Sequence, residues 1–144
     1  MSCSIDVNVL LYASDRTSER HQAARRLLEE CATGPEVLYV AWPVLMSYVR
    51  IATHTRVFAV PLAPREALGN VETLLALPRV RAVGELDGFV DAYRAVSGSV
   101  VVRGNLVPDA HLAAILLQHG IRTLYSNDSD FKKFPTLEVR NPFA

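Results

Sequence analysis

The chain has 144 residues, half of them hydrophobic and 21% charged, which suits one folded domain with one core and excludes a disordered or low-complexity protein. Its 15 basic and 15 acidic residues cancel, so bulk charge makes no case for nucleic-acid binding and any electrostatic footprint must be local. No apolar run approaches the ~18 residues of a membrane span, and two cysteines are too few for a disulfide framework.

The chain opens into CSIDVNVLLYA. Cys3 to Val7 reads as a short buried strand and NVLLYA as a helical segment. Asp6 and Asn8 interrupt the apolar run, no basic segment precedes it and no cleavage site is evident, so it is expected to belong to the fold and not to a signal peptide. Cys3 and Cys31 form no CxxC pair. They are expected to be reduced, buried thiols of a cytoplasmic protein, not zinc ligands.

SERHQAARRLLEECA predicts a helix with Ser18 as its N-cap and Ala24, Leu27, Leu28 and Cys31 on its apolar face. Gly34-Pro35 ends it. Val37 to Ala41 is a second strand, and Pro43 suits the first turn of the helix PVLMSYVRIATH, where its missing N–H costs nothing. TRVFAVPLAP reads as a loop, PREALGNVETLLAL as a helix ended by Pro78, VRAV as a short strand, and LDGFVDAYRAVSG as a helix weakened by Gly88. Asn105 to Gln118 forms another helix, with Pro108 in its first turn and Gly120 as its C′ residue. IRTLYS is a strand, SDFKKF one helical turn and LEVRNP a last strand.

Strands alternating with helices argue for an α/β fold with a mostly parallel sheet. Such sheets bind ligands outside the carboxyl ends of their strands. Asp6 ends the first strand, Asp128 and Asp130 follow the strand Arg122 to Tyr125, and Asp109 opens the helix leading into that strand. All four can therefore meet at one rim. Clustered carboxylates repel and resist ionisation unless a positive group sits between them. No lysine or arginine is close in sequence to Asp6 or Asp109. A hard divalent cation such as Mg²⁺ is the natural neutraliser. Such an ion acidifies a bound water and stabilises charge on a phosphodiester, which is the chemistry of metal-dependent nucleases.

IDVNVLLYA, VPDAHLAAIL and LYSNDSDF, in this order, resemble the three main acidic motifs of the PIN-domain ribonucleases. WPVLMSYVRIATHTRVF resembles the family's second motif segment and LEVRNPF its closing strand, so the resemblance spans essentially the whole chain, residues 1–144 as a single domain. Within that family the chain is similar to the VapC-type toxins of bacterial toxin–antitoxin pairs. The resemblance implies a three-layer α/β/α sandwich and an Mg²⁺-dependent (or Mn²⁺-dependent) endoribonuclease acting on structured RNA such as tRNA or rRNA. It also implies a homodimer and a cognate antitoxin that covers the site. Asp6, Asp109 and Asp128 would hold the ion, with Asp130 a nearby or water-mediated ligand.

One position departs from the family pattern. Many PIN domains carry a glutamate where Ser47 stands, so one acid is missing and a second metal ion loses support. Glu85 is a candidate to compensate from a loop. A catalytically weak PIN-like module that binds RNA or a partner is therefore the alternative reading. A phosphoryl-accepting receiver domain is disfavoured, because the second strand ends in VAWP with no acid.

Asn8 and Ser126 are expected either to orient the acids or to serve as cap and turn residues. Arg50, three residues past Ser47, is a candidate phosphate contact or acid partner; Lys132 and Lys133, which flank the acids, are expected either to bind RNA backbone or to form a solvated turn. His111 follows Asp109 by two residues and so faces another side of its helix. His21, His54 and His119 lack metal-ligand spacing, and Trp42 and Phe58 are expected in the core or an interface.

Overall fold

The computed structural model describes residues 2–144. Among them, five strands form one sheet: β1 (Ser2–Ile5), β2 (Val37–Ala41), β3 (Val80–Val83), β4 (Thr123–Tyr125) and β5 (Glu138–Arg140). The order is β3-β2-β1-β4-β5 and every pairing is parallel. The six helices are α1 (Val7–Ser14), α2 (His21–Thr33), α3 (Trp42–Ala52), α4 (Pro64–Leu75), α5 (Phe89–Ser97) and α6 (Leu106–Gln118), with a 3-10 turn over Ser129–Lys133. Helices α1 to α4 pack on one another in one layer, and α5 packs on α6 in the other. The result is a three-layer α/β/α sandwich.

The sheet reads as apolar runs because both its faces are covered. Cys3 and Ile5 of β1, Leu38 and Val40 of β2 and Leu124 of β4 are all buried. Ser4, also buried, donates its hydroxyl to the Tyr39 carbonyl at 2.6 Å, so its presence in the central strand leaves no unpaired polar group. Helix α6 is the most enclosed: Ala110 and the run Leu112 to Leu116 are buried. Truncating one of those large side chains, Ile115→Ala for example, would cost about 2–5 kcal/mol. This packing fixes the first turn of α6 relative to the sheet, which matters for Asp109.

Three expectations need correction. Helix α2 begins at His21, not directly after Ser18. The Ser18 hydroxyl instead accepts from the Arg20 N–H at 3.1 Å, closing a turn that competes with the cap. Gly88 does not weaken the interior of α5; it is the N-cap, with a left-handed φ of 81° that a side chain would resist. Cys31 is only half-buried, although Cys3 is buried and both thiols are free.

The two connections from β1 diverge. The chain leaves β1 toward β2 and β3 on one side and later returns through α5 and α6 to β4 on the other. The reversal between β1 and β4 is the topological switch point, where an open α/β sheet has its natural crevice. Residues just beyond the carboxyl ends of these two strands face that crevice.

Candidate metal centre at the carboxyl rim of the sheet

Strand register brings the acids together. Ile5 pairs with Tyr125, so Asp6 and Ser126 emerge side by side. The Asp6 N–H donates to the Tyr125 carbonyl at 3.1 Å, extending the ladder by one bond. Asp6 also caps α1: one carboxylate oxygen accepts from the Val7 N–H at 2.6 Å. Its other oxygen accepts from the Ser126 hydroxyl at 2.9 Å. That hydroxyl, itself buried, accepts from the Asp128 N–H at 2.9 Å. Asp128 in turn caps the 3-10 turn by accepting from the Asp130 N–H at 2.9 Å. Ser126 thus ties Asp6 to Asp128, and Asp128 ties in Asp130.

Asp109 enters from the first turn of α6. Carboxylate oxygens of Asp109, Asp128 and Asp130 all lie within 4.8 Å of one another, a spacing one cation can span. Asp6 adjoins this trio through Ser126, with its own oxygens already engaged by Val7 and Ser126.

The electrostatics follow from crowding. Burial pushes the Asp109 carboxyl up to about 7, with Asp128, Asp6 and Asp130 adding repulsion and Lys133 partly opposing it. Asp6 is also raised, by burial first, against hydrogen bonds from Val7 and Ser126 that favour its charge. Among the described residues, the one cation bonded to the cluster is Lys133, 3.2 Å from Asp130, and both are half exposed. The set is an all-oxygen donor array short of positive charge, which is what a hard divalent ion requires. The donor chemistry therefore fits Mg²⁺ or Mn²⁺.

The remaining candidates divide. Asn8 donates its amide to Asn127 Oδ1 at 3.1 Å, beside the acids. Lys132 is exposed next to them. Arg50 is exposed in the last turn of α3, eight residues past the start of that helix at the rim, hence roughly 12 Å along it at 1.5 Å per residue. Ser47 is half-buried in the second turn of α3. Glu85 does not compensate for it: the Glu85 carboxylate is bonded to His111 Nε2, which lowers its pKa and takes it out of the acidic group. Trp42 is 46% exposed, which excludes a core role.

Two residues inside the acidic motifs contribute although they were not singled out as site residues. Asn127, between Ser126 and Asp128, donates to the Tyr12 hydroxyl at 3.2 Å as well as accepting from Asn8. Tyr12 lies in the first motif, four residues after Asn8 and so one helical turn on along the same face, and that spacing is the sequence signal that could have found it.

The PIN domain family profile matches residues 4–137. The chain belongs to the PIN-domain family. Within it the chain falls in the VapC group. It is 46% identical over 144 residues to "Ribonuclease VapC48" of Mycobacterium tuberculosis, covering 100% of this chain and 99% of that protein. It is 36% identical over 138 residues to "VapC ribonuclease Mb2897" of Mycobacterium bovis, covering 96% and 93%. Among solved structures it resembles VapBC2 from Rickettsia felis bound to a promoter DNA fragment, with a TM-score of 0.71, 16% identity and 98% of each chain covered. It also resembles VapC20 of Mycobacterium tuberculosis, described as a sarcin–ricin loop cleaving toxin, with a TM-score of 0.66, 20% identity and coverage of 94% and 98%. These two structures support the PIN-type sandwich.

Proposed function

We propose that this PIN-domain protein is a ribonuclease toxin that hydrolyses phosphodiester bonds of structured RNA, tRNA or rRNA, at the carboxyl rim. The observation that carries the reading is the convergence of Asp109, Asp128 and Asp130 within 4.8 Å, with Asp109 raised to about 7 by burial first and by its acidic neighbours second. Asp6, Asp109 and Asp128 are the catalytic acids, and Asp130 completes the ligand set. These acids would hold a divalent cation, Mg²⁺ or Mn²⁺, which when bound would supply positive charge and lower the pKa of a water for attack on phosphorus. The chain's own part is to hold the acids in place: Ser126 fixes Asp6 against Asp128, α6 presents Asp109 from a buried helix, and Asn8 steadies Asn127.

Two partners follow. The solved VapBC structures support a cognate antitoxin. An apolar groove of about 420 Å³ between α1, α2, α3 and α4, lined by Leu10, Leu28, Leu45, Val71, Leu74 and Leu77 among others, offers such a partner a surface to bury. Trp42 and Met46, one turn apart on α3 and 46% and 53% exposed, support a homodimer in the same way. No helix among the described residues is long and apolar enough to cross a membrane.

A second reading, a weak PIN-like binding module, is favoured by Ser47, a neutral residue at a position that often carries an acid. Antitoxin-free protein incubated with total cellular RNA separates the two. Discrete fragments formed with Mg²⁺, and lost in Asp6→Asn and Asp128→Asn, establish the nuclease. RNA binding without cleavage, in Mg²⁺ and in Mn²⁺, establishes the binding module.

A further inference from the structure

The acids account for cleavage but leave the approach of RNA unexplained. A rim bearing four carboxylates repels a polyanion, and the lysine bonded to it, Lys133, is engaged by Asp130. A strand that delivers a phosphodiester to Asp128 must also lay its neighbouring phosphates and bases across the adjoining surface. That surface needs positive charge and π-faces to hold a single strand.

One feature beside the acids supplies both. The Arg20 guanidinium lies 5.3 Å from the ring centroid of Tyr12 and 5.7 Å from that of Phe143. The two rings meet edge to face, 5.2 Å apart at 86°. Arg20 Nη1 donates to the Tyr12 hydroxyl at 3.0 Å, and Asn127 Nδ2 donates to the same oxygen at 3.2 Å. Both acceptor positions of the phenol oxygen are thereby used. The chain of contacts Arg20–Tyr12–Asn127 ends one residue from both Ser126 and Asp128. Arg20 is exposed and joins none of the ion pairs among the described residues. Its remaining N–H groups are free of any carboxylate, in a planar fork that suits phosphate.

We propose that Arg20, held on Tyr12 and Phe143, is a positioning residue that grips a backbone phosphate of the RNA strand beside the bond to be cut. Tyr12 and Asn127 transmit its place to Asp128, and the exposed parts of the two rings receive a flanking base. The inference rests on the ribonuclease reading. RNA is favoured over an acidic protein segment because this guanidinium is tied by hydrogen bonds to the residue preceding Asp128. A ligand with phosphates at regular spacing engages both at once.

The test uses the full chain, free of antitoxin, and a short labelled oligoribonucleotide of mixed sequence. Binding is measured by fluorescence anisotropy in the Asp128→Asn background in chelator, and cleavage in the otherwise native chain. Arg20→Ala is expected to weaken binding about tenfold and to reduce the salt slope by about 0.7, the value for one phosphate contact on a single strand. Arg20→Lys should keep the slope while losing part of the affinity. Tyr12→Phe should weaken binding a few-fold by cutting the link to Asn127. In cleavage, Arg20→Ala should raise KM with kcat within about twofold, whereas Arg26→Ala, on the exposed face of α2, should change neither. A purely structural Arg20 would lower the melting temperature without moving the salt slope. That result overturns the inference, as does an Arg20→Ala protein that binds and cuts RNA like the native chain. So does one that loses affinity for the antitoxin alone, which would make Arg20 a protein contact. If the native chain neither binds nor cuts RNA, the ribonuclease reading falls first and this one with it.

Discussion

Helix α6 carries two polar side chains toward the same edge of the sheet, and they meet opposite fates. Asp109 is desolvated by burial, meets three more aspartates besides, and is driven up to about 7. His111, two residues on, meets Glu85 from the loop after β3, and the pairing lowers the Glu85 carboxyl. One carboxylate group is compensated by the protein and the other is left in debt. A fold that can place a histidine against Glu85 could place one against Asp109, so the uncompensated set is the one arranged for a charge from outside. Proximity to the rim does not by itself make a site; an unbalanced charge does.

The sharpest way to break this comparison is to neutralise one acid on each side. Asp109→Asn should reduce Mg²⁺-dependent RNA cleavage on the order of a thousandfold, since a lost ligand forfeits several kcal/mol of transition-state charge stabilisation. The same substitution should raise the melting temperature in chelator, because it removes a repelling charge. Glu85→Gln should leave cleavage within about twofold. If Glu85→Gln proved as damaging as Asp109→Asn, the division into two regions would be wrong.

Ser126→Ala comes next. It removes no charge, yet it deprives Asp6 of a donor and the Asp128 N–H of its acceptor. Cleavage should fall about ten- to a hundredfold, as for other groups that orient metal ligands. Stability should fall by about 1–3 kcal/mol in denaturant titration, because the buried Asp6 carboxylate loses a donor and the part-buried Asp128 N–H its acceptor.

The acids were legible because a parallel sheet has a rule: strand ends on one edge face one crevice, and helix starts lead into it. That rule needed only element order, so Asp6, Asp109 and Asp128 could be gathered without knowing a single contact. Ser126 could be flagged but not explained, since its two bonds join Asp6 and Asp128 across β1 and β4. The Arg20–Tyr12–Asn127 network was invisible for a stronger reason. Tyr12 and Asn127 are 115 positions apart, and no periodicity encodes which side chains of two elements will touch. The contact between Glu85 and His111 was hidden in the same way, so Glu85 could be named only as a candidate for the missing acid, with no partner of its own. The start of α2 was misplaced locally, because Ser18 forms a turn with Arg20 that resembles a cap in sequence.

Acidity offers a third test of the comparison. The folded pKa of Asp109, about 7, lies above its unfolded value of about 4. The folded state therefore holds a proton that the unfolded chain has released, and stability must fall as pH rises between those values. In chelator, the melting temperature should decline across that window, and Asp109→Asn should flatten the decline. Mg²⁺ should reverse it, raising the melting temperature by several degrees at a hundredfold excess over its Kd. The rise should be larger at pH 8 than at pH 5, where protons compete for the same oxygens. A Mg²⁺ shift independent of pH would place the ion elsewhere.

The smallest effect probes the compensated side. The Glu85–His111 pair is 47% and 35% exposed at its two side chains, so breaking it should cost no more than about 1 kcal/mol. Its contribution is present above the ordinary glutamate range and is lost as pH falls through the Glu85 pKa, which the His111 hydrogen bond lowers. His111→Ala is the informative variant, because it frees Glu85 without removing it. Glu85 then has a choice between solvent and the acidic cluster. Calorimetric Mg²⁺ affinity unchanged in His111→Ala would mean that the loop after β3 keeps Glu85 out of reach whatever its partner. An increase in affinity would mean that the histidine was restraining a fifth carboxylate. The boundary between the two regions would then be set by one hydrogen bond, not by the backbone.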